Sequence, residues 1–274
     1  MTKTDLPTSS SHGSMKQNYF ALKLSKFAPL SEADQAALDT LAAGAEFVAK
    51  GKDLVVEGDV ASTIFLLTEG MAMRYHTLPN GGRQIINFLI PGDLCSMHIF
   101  LSRKRDHSIA AVTPIRVAPI SHKSMAHCLA HHPGVSTALS WVAIQEEAVL
   151  QERVISLGRR DARGRIAHLV CELFWRHKAV GLTDDQAFRL PLTQEELGDA
   201  LGLTQVHVNR VMRIFYEQKL IGMEQRKMCL LDLNRLQRIA GVEEDYLHPI
   251  IIPENFERRC ESSKIYHDNF NNIY

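Results

Sequence analysis

Residues 192–221 read LTQEELGDALGLTQVHVNRVMRIFYEQKLI, and no other stretch limits the possible folds as much. Thr193 followed by Glu196 forms a capping box, which predicts a helix running through Leu197 to Leu201. Gly202 then supplies the left-handed residue that a tight turn needs. Thr204 has the chemistry of a second N-cap. After it, Val208, Val211, Met212 and Phe215 recur at helical spacing as the inward face of a longer helix. Two short helices across a glycine-containing turn make a helix-turn-helix, whose second helix can lie in the major groove of DNA.

The outward face of that second helix carries Gln205, Val206, His207, Asn209, Arg210 and Arg213. Arginine can make two hydrogen bonds to guanine and asparagine or glutamine two to adenine, each worth about 1–3 kcal/mol of discrimination. Gln205, Asn209 and Arg210 are therefore the expected base readers, with Thr193, Thr204, His207 and Arg213 expected at the DNA backbone. An ordinary helix pair inside a core would need no such polar face. Downstream, Ile221 to Met223 and Met228 to Leu233 read as short strands around Glu224-Gln225-Arg226-Lys227. That is a β-hairpin wing, with Arg226 and Lys227 at a tip that could approach phosphates.

Whole-chain charge hides this. Lysine plus arginine and aspartate plus glutamate both number 31 in 274 residues, a formal net charge of zero, which by itself argues against a nucleic-acid partner. Between Leu203 and Ala240, however, seven basic residues face three acidic ones. Neutrality is a sum over a balanced first part and a basic reader.

Upstream, the stretch from Asp53 to Val117 breaks into the runs LVVEGD, TIFLLTEG, AMRYHTL, RQIINFLI and IAAV. Gly58-Asp59, Glu69-Gly70, Pro79 to Gly82 and Pro91 to Asp93 separate them as turns suited to antiparallel strands closing a small barrel or jelly roll. A short helix from Ala33 to Leu41, capped by Ser31, precedes the strands. After Pro119 the pattern becomes helical, first from Ser124 to His131 and then from Val135 to Leu157. In the longer helix Leu139, Val142, Glu146, Val149, Arg153 and Ser156 alternate at spacings of three and four, a seam flanked by Ala143, Leu150 and Leu157. The seam suits pairing with a partner helix, and it suits equally an amphipathic helix packed on its own barrel. Arginines crowd between Arg159 and Arg165 around Asp161 and Gly164, marking a hinge before a helix from Ala162 to Arg176 and a loop from Gly181 to Leu190.

The expected organisation is α+β. A polar arm or added segment (1–18) precedes an antiparallel, jelly-roll-like β-roll (19–134), a dimerisation helix (135–158), a winged helix-turn-helix (159–240) and a tail without an assigned role (241–274). No run of 18 apolar residues occurs and the first thirty residues lack the order of a secretory signal, so a cytoplasmic protein with no membrane partner is expected. The five cysteines, Cys95, Cys128, Cys171, Cys229 and Cys260, are scattered, with no C-x-x-C pair, and read as reduced thiols. Cys229 in the wing is a candidate redox switch, with a buried strand residue as the plainer alternative.

A β-roll, a pairing helix and a C-terminal winged helix-turn-helix, in that order, resemble the Crp/Fnr family of bacterial transcription regulators. The resemblance covers about residues 20–240, carried by Glu57-Gly58-Asp59, IFLLTEG (64–70), PGDL (91–94), RGRIAHLV (163–170) and LTQEELGDALGLT (192–204). It implies a homodimer on palindromic double-stranded DNA, paired through the seam of Leu139, Val142, Glu146, Val149 and Arg153, with RNA polymerase as a further partner and an effector the sequence does not name. Arg210 matches the family's base-reading arginine.

The departures are informative. Cyclic-AMP-binding relatives carry Gly-Glu and Arg-Ser pairs for the ribose and the cyclic phosphate; here those places read Ser96-Met97 and His107-Ser108. No cyclic-AMP response is therefore expected. No cysteine precedes Cys95, so the N-terminal thiolates of an iron–sulfur cluster are missing and no cofactor is expected. Val206 stands where many relatives have a glutamate that accepts from cytosine, so the operator should differ from the common one.

Two further groups merit weighing. His127 with His131, and Cys128 with His132, have the spacing of a two-ligand metal site, but no third ligand is identifiable and no metal is expected. His98 and His107 could line a barrel pocket, as in a cupin-like enzyme or ligand-binding module with a degenerate helix-turn-helix.

Overall fold

The computed structural model describes residues 17–60, 62–95 and 104–247. Asn18, at the end of the expected arm, caps a short helix α1 (Tyr19–Leu24) that sequence patterning missed: its Oδ1 accepts from the Phe20 and Ala21 amides, both at 3.1 Å. Ser31 caps α2 (Glu32–Ala42) as expected, with Asp34 closing the box.

Among the described residues seven strands follow: β1 (Glu46–Val48), β2 (Asp53–Val55), β3 (Thr63–Glu69), β4 (Ala72–Thr77), β5 (Arg83–Leu89), β6 (Ser108–Ala111) and β7 (Ile115–Ser121). They form two antiparallel sheets, ordered β1-β7-β3 and β2-β6-β4-β5. Leu67, Ile115 and Val117 from the first meet Val55, Leu89 and Ile109 from the second as the core of the roll. The strand pattern runs past Pro119, where a helical region was expected. β1 pairs only with Ile115 to Val117, so β7 is an edge strand at Pro119 and its missing N–H breaks no ladder on that side. Helix α3 (His122–His131) consequently starts earlier, with Ser121 Oγ accepting from the Ser124 amide at 3.0 Å.

Helix α4 (Pro133–Arg159) begins on a proline, which suits a first helical position, where the amide has no partner to lose. The seam read from the sequence faces inward. Leu139 and Val142 are buried with α1, α2 and α3 beneath the roll, and Val149 is buried in the C-terminal core. Arg153 is buried with its guanidinium 2.8 Å from the Glu172 carboxylate, and Glu146 is half-buried. Leu139, Val142, Val149 and Arg153, expected at the dimer interface, are instead taken by the chain's own core. Helix α4 has two apolar faces, and periodicity alone does not say which one its own roll takes. The outward face carries exposed Trp141, Ile144, Gln151, Ile155 and Gly158 with half-buried Ala148, again at alternating spacings of three and four, with Leu150 and Val154 beside it.

The C-terminal part comprises α5 (Ala162–Ala179), β8 (Thr183–Asp184), β9 (Ala187–Phe188), α6 (Gln194–Leu201), α7 (Gln205–Glu217), β10 (Ile221–Glu224), β11 (Lys227–Leu230), α8 (Leu233–Ala240) and a 3-10 turn at Glu244–Leu247. The expected loop at 181–190 holds the β8–β9 hairpin, which joins the wing in a sheet ordered β10-β11-β9-β8. The wing's second strand stops at Leu230 rather than Leu233, because Asp232 accepts from the Arg235 amide at 2.9 Å and starts α8. Met73, Ile85, Phe88 and Ile90 of the roll belong to the same buried cluster as Phe174, Trp175, Leu201 and Phe215. This explains why IINFLI is nearly unbroken in apolar residues: β5 is covered on both faces.

Candidate nucleic-acid interface

The helix-turn-helix is set by local chemistry. Thr193 Oγ1 accepts from the Glu196 amide at 3.1 Å while Glu196 Oε2 accepts from the Thr193 amide at 2.7 Å and its hydroxyl at 3.0 Å. Gly202 adopts φ 62, ψ 39 and closes α6, and Thr204 Oγ1 accepts from the His207 amide at 3.3 Å to open α7. Gly198 is a requirement that the sequence reading missed. A Cβ there would sit 2.6 Å from the Leu203 carbonyl oxygen, so only glycine lets the turn fold this tightly against α6.

Val208, Val211 and Phe215 are buried as expected and Met212 is half-buried. Gln205, Val206, His207, Asn209, Arg210 and Arg213 are all exposed, Val206 at 79%. Asn209 Nδ2 donates to Gln194 Oε1 at 3.2 Å, and Arg213 pairs with Glu217 at 3.0 Å on an exposed surface. At the wing tip Gln225 and Arg226 have φ 49 and 64, the conformation of a two-residue hairpin turn, which leaves Arg226 exposed. Lys227 forms an ion pair with Asp184 of β8, so it is not a free cation at the tip. Cys229 is a half-buried residue of β11 opposite Gly222 and Ala187, an ordinary strand setting. Two arginines outside the expected set, Arg163 and Arg235, donate to Gln218 Oε1 at 3.3 and 3.2 Å, tying α5 and α8 to the end of α7.

Buried charges join this reader to the roll. Asp93, in the turn after β5, receives Lys23 at 2.8 Å, Arg176 at 2.7 Å and the Ile90 amide at 2.9 Å. Burial raises the pKa of this carboxyl, but the two cations and the amide outweigh it and hold it at about 2. Arg176 also donates to Asn87 at 3.1 Å and to Glu172 at 3.3 Å. Nearby, burial depresses His168 and His177 to about 4.

Inside the roll, His107 is buried with its Nδ1 2.6 Å from Asp106 Oδ1, and Ser108 Oγ accepts from the Glu57 amide at 3.0 Å. Arg74 and Arg105 are buried beside Cys95, whose thiol is pushed up to about 12, chiefly by burial. Ser96, Met97 and His98 lie outside the described residues, as does Cys260. On α3, His127 and His131 stack at 4.1 Å and Cys128 is buried, while His132, the residue after the helix, pairs with Asp34 at 3.0 Å. Among the described residues no three histidine, cysteine or acidic side chains converge, and no helix is long and apolar enough to cross a membrane.

Two family models match: a cyclic nucleotide-binding domain over residues 45–132 and a Crp-like helix-turn-helix domain over residues 164–239. The transcriptional activatory protein AadR of Rhodopseudomonas palustris is 27% identical over 237 residues, covering 86% of this chain and 97% of that protein. The transcriptional activator protein FnrL of Cereibacter sphaeroides is 28% identical over 203 residues, covering 71% of this chain and 79% of its own length. Among solved structures, FixK2 from Bradyrhizobium japonicum superposes with a TM-score of 0.63 at 22% identity, covering 73% of this chain and 98% of FixK2.

Proposed function

The chain belongs to the Crp/Fnr family of transcription regulators, and on that premise we propose that it reads a palindromic operator as a homodimer through α7. The observation that carries the reading is the division of α7 into a buried apolar face and an exposed face of Gln205, Asn209, Arg210 and Arg213. Arg210 and Gln205 reach base edges, and Asn209 joins them on leaving Gln194. Val206 offers an apolar contact to a thymine methyl in place of a carboxylate partner for cytosine. Thr204, His207, Arg213 and Arg226 take the phosphates; Thr193 contributes by fixing α6.

The dimer forms through the exposed face of α4. Trp141, Ile144 and Ile155 at heptad-like spacing make an apolar stripe that water disfavours and that a second copy of α4 covers. Two readers related by that axis fit half-sites about one DNA turn apart.

Cyclic AMP is not the effector. His107 replaces the phosphate-binding arginine expected from the resemblance, and the Ser108 hydroxyl is engaged by the Glu57 amide. Selection from random duplexes tests the proposal. The expected product is a two-fold symmetric site that differs from the common family half-site, bound with a steep dependence on salt. Recovery of no preferred site, or binding insensitive to salt, overturns it.

A further inference from the structure

A cavity of about 640 Å³ opens where α1, the 90–93 turn, the end of α5 and the Glu244–Leu247 turn meet. Its size is that of a small-molecule site, and junctions between packed units are where such sites concentrate. Phe27, Ile90, Val180 and Leu247 give it apolar walls. Four cations, Lys23, Lys26, Arg176 and Lys178, face two acids, Asp93 and Glu244. Lys23 and Arg176 are satisfied by Asp93. The ammonium groups of Lys26 and Lys178 have no partner among the described residues. An apolar chamber whose described lining sets four cations against the carboxylates of Asp93 and Glu244, with Lys26 and Lys178 unpaired among the described residues, is complementary to one kind of small molecule.

We propose that this cavity binds a small amphipathic organic anion, with its acidic group on Lys26 and Lys178 and its apolar body against Phe27, Val180 and Leu247. Lys26 lies just beyond the Ser25 cap of α1, which packs on the roll, whereas Lys178 is in the last turn of α5, the central helix of the reader. An anion held by both lysines bridges the roll and the reader, and its binding therefore shifts the affinity of α7 for DNA. The binding site stands on the cavity alone; the effect on DNA rests on the proposed regulator function, and the two are read separately.

The probe is 1-anilinonaphthalene-8-sulfonate, titrated by fluorescence into the full chain. One saturable site per chain is expected, weakened at least tenfold by Lys26→Ala with Lys178→Ala, a pair of exposed positions whose melting curve verifies folding. The uncharged body of the same probe, N-phenyl-1-naphthylamine, should bind at least tenfold more weakly. Binding unchanged in the double variant, or equal binding of the two probes, overturns the proposal. So does a chain ending at Leu247 that binds the sulfonate more than tenfold tighter than the full chain, because residues after 247 would then be the natural occupant. Operator affinity is measured with and without saturating sulfonate. A shift supports the bridge, and no shift with binding intact overturns the coupling alone.

Discussion

Arg83 and Asp199, 116 residues apart in sequence, are joined at 2.8 Å, with the guanidinium Nε donating to Asp199 Oδ2. The contact fastens the start of β5 to α6, and Gln84 Nε2 adds a longer bond to the Ala200 carbonyl at 3.4 Å. Because α6 carries α7 through the Gly202 turn, this pair helps orient the recognition helix on the roll.

Both side chains are about a quarter exposed, so solvent screens the pair and its worth is at most about 1 kcal/mol. Arg83→Asp and Asp199→Arg should each lower the melting temperature slightly and make the segment near Arg160 easier to cleave by protease. The double charge swap should recover part of both losses. Strictly additive effects in that double-mutant cycle would show that the two residues do not communicate.

Gly198→Ala is expected to damage the reader out of proportion to its size. The new methyl meets backbone, the Leu203 carbonyl at 2.6 Å, rather than a movable side chain. The turn between α6 and α7 must shift, costing about 1–3 kcal/mol as in other overpacked sites. Reduced DNA affinity together with a lower melting temperature is the expected outcome; a variant matching the parent in both contradicts the close approach.

The reader is legible in the sequence because its signals are local. Thr193, Gly202 and Thr204 each act on amides or dihedrals within four residues, and the apolar spacing of α7 does the rest. The roll is legible for a similar reason, in its turns. What the sequence conceals depends on distant partners. The side of α4 that turns inward is decided by the Arg153–Glu172 pair and the core under the roll, and the role of Asp93 by Lys23 and Arg176 from two other helices. The two-residue strands β8 and β9 are too short for any period to register, and Gly198 looks like a helix weakness until the Leu203 carbonyl is seen beside it.

At the DNA, Arg210→Ala should cost about 1–3 kcal/mol against the selected site and relax preference at a single base pair. Arg213→Ala should weaken binding to all sequences alike and reduce the salt slope by about one. Fluorescence anisotropy with matched and mismatched duplexes at several salt concentrations separates the two. A uniform loss for Arg210→Ala would remove it from the base-reading set.

Substitutions on the two faces of α4 should behave differently. Ile144→Glu and Ile155→Glu place charge on exposed positions, 55% and 46% accessible, and should yield folded monomers by sedimentation. Leu139→Glu buries an unpaired charge at 5% accessibility and should unfold the chain instead. Dimers persisting in both exposed-face variants would move the interface elsewhere.

Acid should destabilise the protein in two overlapping steps whose sign follows from the buried groups. His168 and His177 sit near 4 when folded against an ordinary value of 6.5, so the unfolded chain binds more protons between those limits and stability falls as pH drops from 6.5 to 4. Asp93 is held at about 2 against 3.8, so its contribution is present above 3.8 and is lost as pH falls through that range toward 2. Urea melts from about pH 7.5 down to about 2.5 should therefore show midpoints that hold steady and then decline below about 6.5. His168→Gln with His177→Gln should flatten the upper part of that decline while leaving the loss near pH 4 and below in place. An undiminished slope between pH 6.5 and 5 in the double variant would mean that other groups set the acid limit.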